Sequence, residues 1–331
     1  MSVKTEARPE VRSAIEPQQP PPGKRWSRYR SRTFYAFTAP WLIGFLALTV
    51  IPMLYALRMS FTNSNGISEK VSWVGFDNYV EALQDADVLH SLYRTGLFTI
   101  TVVPLTVLGS VLLALLVNQP VRGKGFFRMA FYLPAVVPGV AAALTWKLIF
   151  DKDAGPANGI LGMLGLDPVT WLQDPAVSYV LLSLMLWSIG GGMLVSLAGL
   201  QDIPKELMEA ARMDGAGRLR VFWHVTVPLL SPILLFQVVT GVINAMQVIA
   251  QPMLLAPSAG GVVSAAKVSP DNNFYMVHVY AQYFTFGRWG YGSALLWLLF
   301  VVVLVITFLV MRLGKSVVFY NVDPEGQGEK G

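Results

Sequence analysis

Long apolar runs bounded by charge dominate the chain. Thr33–Leu57, Thr95–Val121, Met129–Trp146, Pro175–Gln201, Val225–Ala266 and Trp289–Met311 contain no Asp, Glu, Lys or Arg. A hydrocarbon core of about 30 Å is crossed by about 20 apolar residues of helix. Five runs therefore hold one span each, the third being short and continuing through Lys147 to Phe150. Val225–Ala266 could hold two, but Pro252, Pro257, Ser258, Gly260, Gly261 and Ser264 crowd its second half, which reads as loop or re-entrant structure. The pattern predicts an all-α polytopic membrane protein with six transmembrane helices, near 34–57, 95–118, 129–150, 176–200, 227–250 and 289–311. Pro104, Pro134 and Pro138 are expected to kink spans, which neighbouring helices can tolerate.

Composition agrees with this reading. Of 331 residues, 54% are hydrophobic and 14% charged, against about 25% charged in an ordinary soluble domain. Lys and Arg concentrate in the N-terminal tail, in the loops 119–128 and 202–224 and in the C-terminal tail. That bias places both termini in the cytoplasm. The first outer loop is acidic, with Glu69, Asp77, Glu81, Asp85 and Asp87. Residues 1–33 are Pro-rich, polar and basic, and read as a disordered cytoplasmic tail. They contain no apolar core of a signal peptide. Their basic run, Lys24–Arg32, suits anionic lipid headgroups better than nucleic acid. The division is then a tail over 1–33, a transmembrane domain over 34–318 and a cytoplasmic tail over 319–331.

Several chemistries are missing. No Asp, Glu or Arg lies inside an expected span, which argues against a self-sufficient proton- or sodium-coupled carrier. There is no G-x-x-x-x-G-K-[ST], so nucleotide hydrolysis through a P-loop is not expected here. Cysteine is absent, and His90, His224 and His278 are scattered. No catalytic residue, metal site or cofactor site is expected in this chain, and its energy should come from another subunit.

The loop from Leu200 to Pro232 is the most informative stretch. Asp202 and Pro204 are helix-start signals. An amphipathic helix should follow and end at Asp214-Gly215, where glycine takes the left-handed conformation. A second short helix, carrying Leu219, Phe222 and Trp223, should begin near Ala216 and lead into span five through Pro228 and Pro232. The spacing predicts two short helices at an angle on the cytoplasmic face. An ordinary interfacial helix is the alternative.

Glu209-Ala210-Ala211, Asp214-Gly215-Ala216, Phe222, Val225, Pro228 and Pro232 together resemble the EAA loop of binding-protein-dependent ABC transporter permeases, with Val225 where that family usually has Ile. Trp73–Tyr79, Phe131–Pro134, Ala198–Pro204 and Gly290–Ala294 extend the likeness to the carbohydrate branch, of the maltose and glycerol-phosphate type. The T-x-G-G-P segment usual after span five is absent. The resemblance implies a type I importer permease fold in a bacterial inner membrane. It makes Glu209, Ala210, Ala211, Asp214 and Gly215 the residues of a coupling helix that docks on an ATP-binding subunit. It also implies the partners: a second permease, a non-identical paralogue of this one, two ATP-binding subunits that hold ATP and Mg, and an extracytoplasmic solute-binding protein. The solute would be a sugar or oligosaccharide. Glycerol-phosphate or another polar solute, and a stand-alone secondary carrier, are the alternatives.

A sugar path needs hydrogen-bonding groups and aromatic faces. Asn244, Gln247 and Gln251 recur at i, i+3 and i+7 and are expected on one face of span five, lining the path. Interhelical hydrogen bonding is the alternative use of such amides. Tyr280, Tyr283 and Trp289 could stack on a sugar but suit an interfacial aromatic belt better. Gly190-Gly191-Gly192 in span four is either a flexible point or, more commonly for small residues, a site of close helix packing.

Overall fold

The computed structural model describes residues 31–67, 71–120, 122–257 and 264–315. The expected tails lie outside these, apart from Ser31–Thr33 at the start of the first helix. The chain divides into two compact units, Met1–Met53 and Leu54–Gly331. In the first, α1 (Ser31–Phe45) continues through a π-helical turn, Leu46–Val50, into α2 (Ile51–Ser60), which extends into the second unit. Phe34–Ser60 is long and apolar enough to cross a membrane.

The second unit holds α3 (Asp77–Gln84), α4 (Ala86–Asn118), α5 (Lys124–Val136), α6 (Gly139–Ile149), α7 (Pro156–Met163), α8 (Ala176–Trp187), α9 (Gly190–Asp202), α10 (Lys205–Met213), α11 (Arg218–Val221), α12 (Val227–Met246), α13 (Ala250–Leu255), α14 (Tyr275–Tyr280) and α15 (Trp289–Gly314). Four helical stretches of the described residues are long and apolar enough to span; α5 with α6 and α8 with α9 are bent pairs that bring the count to six.

Of the three prolines expected to kink spans, Pro138 does so in the span expected over 129–150, and the span expected over 176–200 is bent as well. Between α5 and α6 the axis turns by 93°. Val137 is extended there, with φ −67° and ψ 128°, because the residue before a proline is pushed out of the helical region and Pro138 has no amide to continue the ladder. Between α8 and α9 the turn is 42°, at Ser188 and Ile189. Pro104 and Pro134, by contrast, lie inside continuous helices. Span two is longer than expected, because Asp85 caps it at Ala86: its Oδ1 accepts from the Asp87 N–H at 2.9 Å. Asx capping of this kind satisfies one of the orphan donors of the first turn.

Helix α4 forms the axis of the unit. Its later turns (Val111, Ala114, Val117) pack with Met193, Leu197 and Leu200 of α9 and Leu230 of α12. Its earlier turns (Val88, Val103) pack with Val242, Met246, Tyr275, Tyr291 and Leu295. Lipid tails are as apolar as these side chains, so close approach rather than burial from water must hold spans together. Glycine supplies it. A Cβ on Gly190 would lie 2.1 Å from the Phe131 carbonyl oxygen of α5, and one on Gly192 would lie 2.4 Å from Ser110 Oγ of α4. One on Gly199 would meet the Ile233 side chain of α12 at 2.1 Å. The glycine run in span four is thus a close-packing device.

The segment Trp73–Tyr79 closes the end of the unit formed by the start of α4. Asn78 Nδ2 donates to the carbonyls of Ser60 and Thr62 at 2.8 and 2.9 Å, while Phe61 stacks on Trp73 at 5.3 Å. An ion pair in which Arg288 Nη2 donates to both carboxylate oxygens of Glu81 ties the start of α15 to α3. Nearby His278 is buried, and desolvation depresses its pKa below the usual imidazole range against the opposing pull of Asp85 and Asp87.

Candidate functional site

Two features stand out. The first is the elbow formed by α10 and α11. Pro204, with φ −58° and ψ 130°, precedes the first turn of α10. Asp202, expected to start this helix, instead ends α9. Met208 packs on the α4–α9–α12 cluster beside Ile203, which anchors α10 to the helical unit. Glu209, Ala210, Asp214 and Gly215 are exposed and Ala211 is half-buried.

The turn after α10 explains two of these residues, Ala211 and Gly215. Gly215 has φ +79°. Its N–H bonds to the Arg212 carbonyl at 3.0 Å, and the Ala216 N–H reaches back to the Ala211 carbonyl at 3.0 Å. This pair of bonds is a Schellman cap, which needs a left-handed residue after the helix and favours glycine there. Small Ala211 and Ala216 bracket it. The elbow also shows apolar side chains to the outside: Met213 is 88% and Leu219 72% exposed.

The second arm of the elbow differs from expectation. It begins at Arg218 rather than Ala216, and it runs through a π-helical turn, Phe222–Thr226, directly into α12. It is the first part of span five, not a separate helix. This π turn and the one at Leu46–Val50 each end two residues before a proline, Pro228 and Pro52. Proline withholds the amide that the helical ladder needs. Further on, Pro232 cannot bond the Pro228 carbonyl, and Ser231 Oγ donates to it instead at 2.6 Å. The second arm of the elbow and span five therefore form one continuous helical stretch, joined to α10 by the Gly215 turn.

The second feature is a cavity of about 530 Å³ between α4, the α8–α9 bend and α12. Asn244, Gln247 and Gln251 all line it. They do not share one helix, however. Helix α12 stops at Met246, Gln247 caps it with φ −110°, and Gln251 lies on α13. Pro252 accounts for the break, since it has no amide for the Val248 carbonyl and is tolerated in the first turn of a new helix. The bend folds Gln251 back onto the cavity, where Gly139 leaves room for it: a Cβ there would be 3.2 Å from Gln251 Nε2. Of the segment expected to be loop or re-entrant, Ala250–Leu255 is helical, and Ser258, Gly260 and Gly261 lie outside the described residues.

Other lining residues were not anticipated. Phe98, Val102, Thr106 and Ser110 present one stripe of α4 to the cavity, and Gln237, Thr240 and Gly241 continue the amide face of α12. Gln237 Nε2 donates to the Gly192 carbonyl at 3.1 Å and to Ser196 Oγ at 2.8 Å, and Ser110 Oγ donates to the Ile189 carbonyl at 3.3 Å. Spans two and five thus hold the bend of span four at the cavity wall. Gln237 was detectable as the residue one heptad before Asn244 on the same face; the Thr106 and Ser110 hydroxyls carried no comparable signal. The lining includes no charged side chain. Tyr280, Tyr283 and Trp289 do not line it; Tyr283 bonds Ser293 Oγ at 2.6 Å and meets Trp289 edge-on at 5.9 Å.

Comparison with known proteins places this geometry. Residues 86–318 match the family described as binding-protein-dependent transport system inner membrane component. The probable ABC transporter permease protein YesP of Bacillus subtilis is 34% identical over 88% of this chain and 93% of its own length. The arabinooligosaccharides transport system permease protein AraP of the same organism is 30% identical over 85% of this chain and 88% of its own. Among solved structures, a chain of a bacterial ABC transporter involved in import of the acidic polysaccharide alginate superposes with a TM-score of 0.75 at 23% identity, over 87% of this chain and 96% of that one.

Proposed function

We propose that this chain, which belongs to the family of binding-protein-dependent transport system inner membrane components, is one half of the membrane path of an ABC importer for a neutral saccharide. The observation that carries the solute class is the 530 Å³ cavity, lined by amides, hydroxyls and apolar surface without a charged group. A pocket of this size suits a small organic ligand. A phosphorylated or acidic solute would enter it with its charge unpaired, which is costly in a membrane interior. The arabinooligosaccharide relative supports the same class.

In this reading Glu209, Ala210, Ala211, Asp214 and Gly215 form the surface that docks on an ATP-binding subunit. The exposed Met213 and Leu219 add apolar contact. The Schellman cap makes the elbow stiff, and its continuity with α12 lets movement of the ATP-binding subunits swing the cavity wall. A second permease, a paralogue, completes the path. ATP and Mg belong to the two ATP-binding subunits, and a solute-binding protein delivers the sugar. Both termini and the elbow then face the cytoplasm. The test is uptake by vesicles carrying the complete assembly. Binding protein and ATP together should drive import of a neutral oligosaccharide and not of glycerol 3-phosphate. Uptake by this chain alone, or preference for the phosphate, would refute the assignment.

A further inference from the structure

A second groove, of about 350 Å³, adjoins the central cavity on the side away from the elbow. The two share Phe98 and Val102 as a common wall. We propose that this groove is a second saccharide subsite, in line with the first, so that the path holds a chain of sugar units rather than a single one. The inference rests on the proposed function above and extends it.

The placement follows from helix geometry. Arg94, Phe98, Val102, Thr106 and Ser110 recur every four residues along α4 and line first the groove and then the cavity. Side chains four apart share a helix face, and sixteen residues of helix extend about 24 Å. The row winds about 40° around the helix at each step, so one spiralling ridge of one span, rather than one fixed face, leads from the groove to the amide-lined cavity.

The chemistry of the groove is that of a neutral polyol. Tyr179, on the first turn of α8, is 68% exposed and offers a ring face. At the mouth Arg94 Nη2 lies 3.1 Å from Asp271 Oδ1, and the guanidinium also donates to the Asp271 carbonyl at 3.0 and 2.8 Å. The pair is neutral as a whole yet keeps charge-assisted hydrogen-bonding capacity for hydroxyl groups. Ser178 also lines the groove and donates to Asn272 Oδ1 at 3.2 Å. Asn272 is 1% exposed, and its Nδ2 meets no hydrogen-bond partner among the described residues. Between the two chambers the Phe98 ring packs on Phe274 at 4.8 Å, an aromatic constriction past which a saccharide must slide.

The test compares a disaccharide with a tetrasaccharide of one sugar (maltose with maltotetraose, and the arabinose pair) in vesicles carrying the complete assembly. Tyr179→Ala should lower tetrasaccharide uptake about five-fold, the loss of one aromatic face, and leave disaccharide uptake within about two-fold. Tyr179→Phe should retain both. The chain contains no cysteine, so Leu182→Cys gives it a single thiol whose labelling is read on this chain after its separation from the other subunits: tetrasaccharide should slow its modification by a water-soluble thiol reagent, and disaccharide should not. Equal loss for both lengths, no loss for either, or modification indifferent to the tetrasaccharide overturns the subsite, while saccharide uptake by the unaltered assembly keeps the underlying function. If the unaltered assembly imports neither saccharide, the underlying function is overturned and the subsite with it.

Discussion

Gly215 illustrates how one residue sets the mechanics of the elbow. At φ +79° it occupies a conformation that costs an L residue about 1–2 kcal/mol. No atom lies within 4 Å of where its Cβ would be, so the penalty of substitution is conformational and not steric. Gly215→Ala should therefore loosen the turn after α10 by about 1–2 kcal/mol and weaken the binding of the ATP-binding subunit. Gly215→Asn should be milder, because Asn tolerates the left-handed region. Co-purification of the ATP-binding subunit with each variant checks the order Gly, Asn, Ala; equal recovery from all three would contradict it. The glycine was readable in the sequence because a helix stop has a local chemistry. The cavity role of Ser110 was not, because a hydroxyl in a span looks the same whether it faces lipid, its own helix or a neighbour.

At the scale of elements, the bend of span four and the break after α12 shape the cavity. The expected helix positions held to within a turn or so at most ends, since hydrophobic length decides where a chain can cross a membrane. The breaks inside spans three, four and five were less legible. Pro138 and Pro252 break their helices whereas Pro104 and Pro134 do not, a difference that the proline itself does not announce in the sequence. The bend of span four depends on contacts from two other spans, Ser110 and Gln237. Gly192→Ala would push a methyl group to 2.4 Å from Ser110 Oγ, forcing α4 and α9 apart at a cost of about 1–3 kcal/mol. Thermal unfolding of the detergent-solubilised assembly should shift down for Gly192→Ala and recover when Ser110→Gly is added. A double variant no more stable than Gly192→Ala would show that the glycine acts otherwise than by close approach.

At the scale of the whole molecule, one lever links two surfaces. Residues from Arg218 to Met246 form a continuous helical stretch, with the exposed elbow at one end and Asn244 in the cavity wall at the other. The elbow is legible in the amino-acid sequence, because Glu209–Pro232 packs many family-specific residues into a short segment. The cavity is only partly readable there, because its lining is assembled from five helices, among them a few ordinary polar residues. The most direct measurement is ATP hydrolysis alongside solute uptake in vesicles holding the complete assembly, with the unaltered chain and with Glu209→Ala. The account predicts that binding protein loaded with saccharide stimulates hydrolysis and uptake together in the unaltered assembly, and that Glu209→Ala lowers both about ten-fold, the loss of about one charge-assisted contact at the docking surface. Unchanged hydrolysis and uptake in Glu209→Ala would contradict it.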